Sequence, residues 1–214
     1  MPNIQLYFLQ ASRCIRTAWL LDELNLDYAV EFSPRVNGVA PPEFKKKAGG
    51  LGKFPTLVDD GKSYYESGNI TEYLCDTYDK EHRFLAALGD PKRYQILQWV
   101  HAAEGTFMTH ALAITYARWF QKGGDLKATE EGLSGNVQKD FDWFEAELNK
   151  SKGKFLFGDE PTAGDIAMHF SVTFIIAREL GTQGRTWPRI EQFVKDCEAT
   201  EAYKKAVKKT GYEL

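Results

Sequence analysis

Three short stretches of this chain place hydroxyl, thiol, carboxylate and backbone groups where they could hold and activate a small polar ligand. Ser12 follows the apolar run from Ile4 to Leu9 and precedes a helical pattern, so its hydroxyl stands where a strand turns into a helix. Helix N-termini present unpaired amides and partial positive charge, which favours any group that carries or develops negative charge. Tyr7, inside the run, and Cys14, two residues beyond Ser12, are the other donors or nucleophiles at that corner. A cysteine at a helix start has a lowered pKa and can form mixed disulfides, while the bland role for Cys14 is a small buried residue. Tyr7 has a bland role too, as a packed strand aromatic. Arg13 and Arg16 add positive potential, with a solvated or salt-bridged arginine as the ordinary role of each.

The second stretch is Lys53-Phe54-Pro55-Thr56-Leu57-Val58. A proline ahead of an apolar strand removes a ladder donor, so its place calls for a special backbone role. A cis Phe54-Pro55 bond supplies one, turning the Phe54 amide and carbonyl outward to pair with an extended peptide as an added strand. A trans proline at a strand start is the alternative. In the third stretch, Glu66-Ser67-Gly68, Ser67 offers a hydroxyl and a helix N-terminus to a carboxylate, and Glu66 can accept from an ammonium. Together they match the two charges of an amino-acid terminus. Ser67 alone also suits a plain N-cap.

The elements that must position these groups follow from periodicity. Ile4 to Leu9 carries no charge and suits a strand buried on both faces. Ser12 then caps a helix with Ile15, Trp19, Leu20 and Leu24 on one face, ending near Asn25. Tyr28 to Phe32 is a second strand, and Pro41-Pro42-Glu43 opens a short helix that Gly49-Gly50-Leu51-Gly52 breaks. Pro55 to Val58 and Lys62 to Tyr65 flank Asp59-Asp60-Gly61 as a hairpin, and Ser67 caps a helix through Ile70, Tyr73, Leu74 and Tyr78. This βαβ followed by ββα order predicts a thioredoxin-like α/β domain over residues 1–79. Residues 80–90 lose periodicity and read as a linker, and 91–214 as an all-helical domain. Its helices are expected from Pro91 to about Gln121, Thr129 to Lys150, Ala163 to Leu180, after Trp187-Pro188, and from about Glu201 to Lys209.

Composition narrows the function. With 43% hydrophobic and 27% charged residues and a formal charge of -3, the chain is an ordinary globular protein without a basic field for nucleic acid. No stretch approaches the roughly 20 apolar residues that span a bilayer, and the Met1-Pro2 start lacks a basic flank leading to an apolar segment. Cys14, Cys75 and Cys197 are widely spaced, without a CxxC pair or histidine cluster, which suits a reducing, cytoplasmic setting and no metal site.

Lys53-Phe54-Pro55, Glu66-Ser67-Gly68 and Thr162-Ala163-Gly164-Asp165-Ile166 stand in the order and spacing of the cytosolic glutathione transferases. The chain resembles that superfamily over nearly its whole length. Ser12-Arg13-Cys14-Ile15-Arg16, Ala40-Pro41-Pro42-Glu43-Phe44-Lys45 and Trp187-Pro188-Arg189-Ile190 are similar to fungal and bacterial members near the theta-like branch. The resemblance implies the superfamily's two-domain fold, a cis Pro55, backbone contacts from Phe54 to glutathione, the γ-glutamyl group on Glu66 and Ser67, and Lys53 near the glycine carboxylate. It implies that Thr162 and Asp165 form a structural capping box, and that glutathione is the cosubstrate, with no metal.

A thiol of pKa near 8.5 gains reactivity at neutral pH when a directed hydrogen bond stabilises its thiolate. Ser12 stands where theta-like enzymes keep their activating serine and is the first choice. Tyr7 stands where tyrosine-type classes keep their phenol, and Cys14 is the third alternative. An acceptor pocket is expected between the domains, walled by some of Phe107, His110, Ala111, Ile114, Tyr116 and Trp119, several of which must be core. His110 has no carboxylate partner at helical spacing and reads as wall rather than base. The 14% aromatic content favours a small apolar electrophile.

The resulting expectation is a homodimeric glutathione transferase in detoxication, with possible peroxidase activity. A noncatalytic regulatory or interaction module on the same fold, and a specialised biosynthetic transferase or isomerase, are the alternatives.

Overall fold

The computed structural model describes residues 3–214, so the Met1-Pro2 start lies outside the described residues. Contacts gather the chain into two compact units, one of residues up to Gly89 together with Glu198–Leu214, the other Asp90–Cys197.

The first unit runs β1 (Ile4–Leu9), α1 (Cys14–Glu23), β2 (Tyr28–Ser33), α2 (Pro42–Ala48), β3 (Thr56–Asp59), β4 (Lys62–Tyr65) and α3 (Ser67–Tyr78). Its sheet has the order β2-β1-β3-β4, in which β2 pairs parallel with β1, β3 antiparallel with β1, and β4 antiparallel with β3. This is the thioredoxin-like arrangement expected. The uncharged β1 takes the interior place that its composition demands, with Leu6 and Phe8 wholly buried. Alternation sends Tyr7 and Leu9 the other way, into a cluster with Ala40, Phe44 and Ala48 at α2. α1 buries Ile15, Trp19 and Leu20 as its periodicity predicts, and Arg16 among them.

The second unit runs α4 (Pro91–Ala102), a π-helical turn (Ala103–Met108), α5 (Thr109–Phe120), α6 (Leu126–Lys150), α7 (Ala163–Ala177) and most of α8 (Pro188–Ala199). The expected helix from Pro91 to about Gln121 is thus interrupted midway. Hydroxyls take up carbonyls in the π-helical turn: Ser171 Oγ donates to Ala103 O and Thr109 Oγ1 to Glu104 O, both at 2.9 Å. Periodicity could not show this, because one partner comes from α7.

Aromatic stacking fills this core, with Trp99 and Trp143 at 4.4 Å and Phe144 edge-on to Phe193 at 5.2 Å. Thr162 and Asp165 make a capping box at the start of α7. The wholly buried Asp165 carboxylate accepts from Thr162 N at 2.8 Å and Thr162 Oγ1 at 2.6 Å through Oδ2, and from Leu156 N at 2.9 Å through Oδ1. Burial pushes its pKa up, against the pull of those donors.

The last helix, α9 (Glu201–Thr210), belongs by its contacts to the first unit. Tyr203 meets Trp19 edge-on at 5.3 Å, Lys205 pairs with Asp22 at 2.9 Å, and Tyr212 lies against Phe8 at 6.3 Å. The stretch 91–214 therefore gives its final helix to the α/β unit. An amphipathic pattern says that a helix has a face to bury, not which partner it meets. Among the described residues, no helix is long and apolar enough to cross a membrane.

Candidate functional site

Ser12, Tyr7 and Cys14 converge where β1 passes into α1, but their environments differ. Ala11, at φ 47°, turns the chain sharply enough to bring Ser12 back over the strand end. Ser12 Oγ donates to Leu9 O at 2.7 Å and accepts from Cys14 N at 3.3 Å, so the hydroxyl serves a first-turn amide although Arg13 is the helix N-cap. The side chain is buried.

Tyr7 packs beside Phe44 with ring centroids 6.0 Å apart. Cys14 is wholly buried, its Sγ 3.5 Å from Tyr7 O, and burial pushes its thiol up to about 11, outweighing the Ser12 hydrogen bond. The sequence argument for a lowered Cys14 pKa therefore gives way to desolvation. All three cysteines are buried, and among the described residues none forms a disulfide. Iodoacetamide at pH 8 is expected to leave the Cys14 peptide unlabelled in the folded protein and to label it in urea, as read by mass spectrometry. Labelling in the fold at the unfolded rate would overturn that. The sign for stability follows: an unfolded thiol ionises near 9.0 and the folded one near 11. The stability that this group contributes is intact below the first value and lost as pH rises towards the second.

The second candidate corner is built on α3. Ser67 is the first helical residue, and Glu66, at φ 67°, is the N-cap, so the expected Ser67 cap shifts by one residue. Among the described residues no side chain caps this terminus, which leaves its first amides for another acceptor. Ser67 is buried and Glu66 exposed. Arg16, 1% exposed, donates from Nη1 to Ser67 Oγ at 3.1 Å. Arg16 is therefore not the solvated arginine that was one of its two ordinary roles but a buried guanidinium joining α1 to α3. Its signal was present, since Arg16 stands three and four residues before Trp19 and Leu20, on the apolar face of α1.

The Phe54–Pro55 bond is cis, and Phe54 lies just ahead of the ladder, which begins at Thr56. Its ring stacks on Phe44 at 4.8 Å, and Lys53 is exposed beside it. Gly50, at φ 56°, lets the Tyr65 ring lie over the loop that leads to Lys53; a Cβ there would come within 2.6 Å of that ring. The first unit thus brings together Ser12, Cys14 and Tyr7 at the end of β1, and Ser67 with Arg16 at the start of α3.

In the second unit, Phe107, Ala111 and Ile114 are core, leaving His110 half-buried and Tyr116 and Trp119 exposed. His110 has a carboxylate partner that spacing along its own helix could not reveal: Nδ1 lies 2.6 Å from Asp140 Oδ2, on α6. Burial raises the Asp140 pKa, opposed by His110. Tyr116, Trp119 and Phe120 form an exposed aromatic group with centroids 6.0 to 6.1 Å apart. A separate cavity of about 700 Å³ is lined by charged and polar groups including Arg118, Glu130, Glu179 and Gln183. It shares no residue with the predicted acceptor set. Arg118 is already committed there, donating to both Glu130 oxygens at 2.9 and 2.8 Å. Among the described residues, no group of three or more His, Cys, Asp or Glu could hold a metal.

The model for the glutathione S-transferase N-terminal domain matches residues 6–82, and that for the C-terminal domain matches residues 107–201. Glutathione S-transferase 1 of Saccharomyces cerevisiae is 29% identical over 95% of this chain and 93% of its own length. A glutathione S-transferase crystal structure from Actinobacillus pleuropneumoniae superposes with a TM-score of 0.82 at 28% identity, covering 99% of this chain and 94% of the other. A glutathione transferase homolog from Lodderomyces elongisporus, crystallised with two GSH per subunit, shares the fold with a TM-score of 0.76 at 23% identity, over 96% and 98% of the two chains.

Proposed function

The chain belongs to the glutathione S-transferase family, and on that premise we propose that it binds glutathione in its first unit and joins the thiolate to an apolar electrophile. The observation that carries this reading is Ser67, a buried hydroxyl at an uncapped helix N-terminus with a guanidinium behind it. That arrangement suits a carboxylate, and the γ-glutamyl end supplies one. Exposed Glu66 takes the neighbouring ammonium, Lys53 the glycine carboxylate, and the Phe54 backbone the cysteinyl strand. A fold relative that holds GSH supports the choice of ligand.

Held this way, the thiol is directed to Ser12. In this structure the Ser12 proton goes to Leu9 O, so activation requires the hydroxyl to exchange that acceptor for sulfur by turning about Cα–Cβ. The thiolate then forms a bond to the electrophilic carbon while the leaving group departs with its electron pair. A hydroperoxide is attacked at oxygen instead. Two glutathiones become the disulfide, and the peroxide becomes alcohol and water. The exposed Tyr116 and Trp119, with His110, are the proposed acceptor wall. The reading extends to a cytoplasmic homodimer in detoxication, supported by family membership.

Calorimetric titration with glutathione tests the binding half. Ser67→Ala is expected to weaken binding about 10- to 100-fold, the worth of a hydrogen bond to a charged group. No heat from the wild-type protein at millimolar glutathione would sink the proposal in favour of the noncatalytic module. That second reading draws on the engagement of the Ser12 hydroxyl with Leu9 O.

A further inference from the structure

Arg16 is too deeply buried to touch a ligand itself, yet its bond to Ser67 determines what Ser67 can do. A serine hydroxyl has one proton and two lone pairs. Arg16 Nη1, 3.1 Å from Ser67 Oγ, occupies a lone pair and, as a guanidinium, cannot take a proton in return. The Ser67 proton must therefore go elsewhere, and none of the described residues accepts it in this structure. It is left for an acceptor at the open N-terminus of α3, where no side-chain cap competes. Donation from a cation also polarises the O–H, which makes it a stronger donor.

The surroundings hold Arg16 in this role. It lies on the buried face of α1, 51 residues from its partner, and α1 packs against α3. Behind it the chain end closes over β1: the buried Tyr212 ring lies against Phe8, and its phenol feels the Arg16 charge.

We propose that Arg16 is a positioning residue that fixes Ser67 as an outward hydrogen-bond donor and so makes this site select ligands with a carboxylate at the γ-glutamyl end. The inference rests on the glutathione reading above and adds the residue that sets its specificity. Arg16 acts through Ser67 and makes no ligand contact of its own.

The test is calorimetric titration of wild type, Arg16→Met, Ser67→Ala and the double variant with two ligands: glutathione, and 4-aminobutanoyl-cysteinyl-glycine, which lacks only the γ-glutamyl carboxylate. Arg16→Met is expected to weaken glutathione about 10-fold, in the range of one charge-assisted hydrogen bond, and to change the carboxylate-free ligand by less than about 2-fold. In the Ser67→Ala background, Arg16→Met is expected to add less than about 2-fold, because the two act as one unit. An equal loss for both ligands, or losses that multiply in the double variant, would show that Arg16 merely supports the fold and would overturn the inference. Where Arg16→Met does not fold, Arg16→Lys is read by the same two criteria. It keeps a point charge without the planar fork and is expected to show a smaller loss confined to glutathione. Wild-type protein that binds no glutathione overturns the underlying reading along with this one. Wild type that binds, with no ligand discrimination on Arg16 substitution, overturns this inference alone.

Discussion

Ser12→Ala is expected to lower kcat/KM for conjugation about 100- to 1,000-fold, the usual cost of removing one preorganised donor to a developing anion. Most of that loss should be recovered at high pH. With the donor present, bound thiol should ionise well below the value near 8.5 of a free thiol; without it the ionisation returns towards that value, and the rate follows the thiolate fraction. Thiolate absorbance against pH, measured with glutathione bound, reads this directly. Affinity for glutathione should change little, because the groups proposed to hold the tripeptide lie at α3 and Phe54. The variant should also lose about 1 kcal/mol of stability with the Leu9 bond. Tyr7→Phe is the control and should cost less than about 3-fold, since the Tyr7 ring is packed against Phe44 at α2. A large loss in Tyr7→Phe with an unshifted thiol pKa in Ser12→Ala would transfer the role to the phenol.

The largest effect on folding is expected from Asp165→Ala. Its carboxylate satisfies the Leu156 amide, the Thr162 amide and the Thr162 hydroxyl, all at buried positions. Removing it strands those donors without water, and each buried orphan costs about 1–3 kcal/mol. A total of about 3–5 kcal/mol is expected, read as a lower denaturation midpoint in urea with an unchanged slope. Thr162→Ala should cost about 1 kcal/mol, because it removes the cap hydroxyl and leaves the carboxylate in place. Near-wild-type stability in Asp165→Ala would mean that water or a rearranged loop replaces the carboxylate. The variant's turnover per folded molecule should match wild type at low temperature, which separates a folding role from a catalytic one.

The sequence by itself determined the local elements and the order of the α/β half. An uncharged β1, helices with apolar faces every three to four residues, a hairpin at Asp60-Gly61 and a proline ahead of β3 are local instructions, readable wherever period and turn chemistry agree. The motifs at Lys53–Pro55 and Glu66–Ser67 were legible for the same reason, since each is a few residues long. Tertiary structure decided the pairings. Arg16 finds Ser67 across 51 residues, and His110 finds Asp140 across 30. The π-helical turn draws on Ser171, 68 residues from Ala103, and α9 packs against α1 of the first unit. Tertiary structure also reversed the reading of Cys14, because a helix start lowers a thiol pKa only where water or a partner can stabilise the thiolate, and here burial wins. A pattern along one chain fixes which face of an element must be covered. What covers it, and how dry the contact is, depends on residues far away in sequence, and those two quantities set the charge and hydrogen-bonding direction of every group in this site.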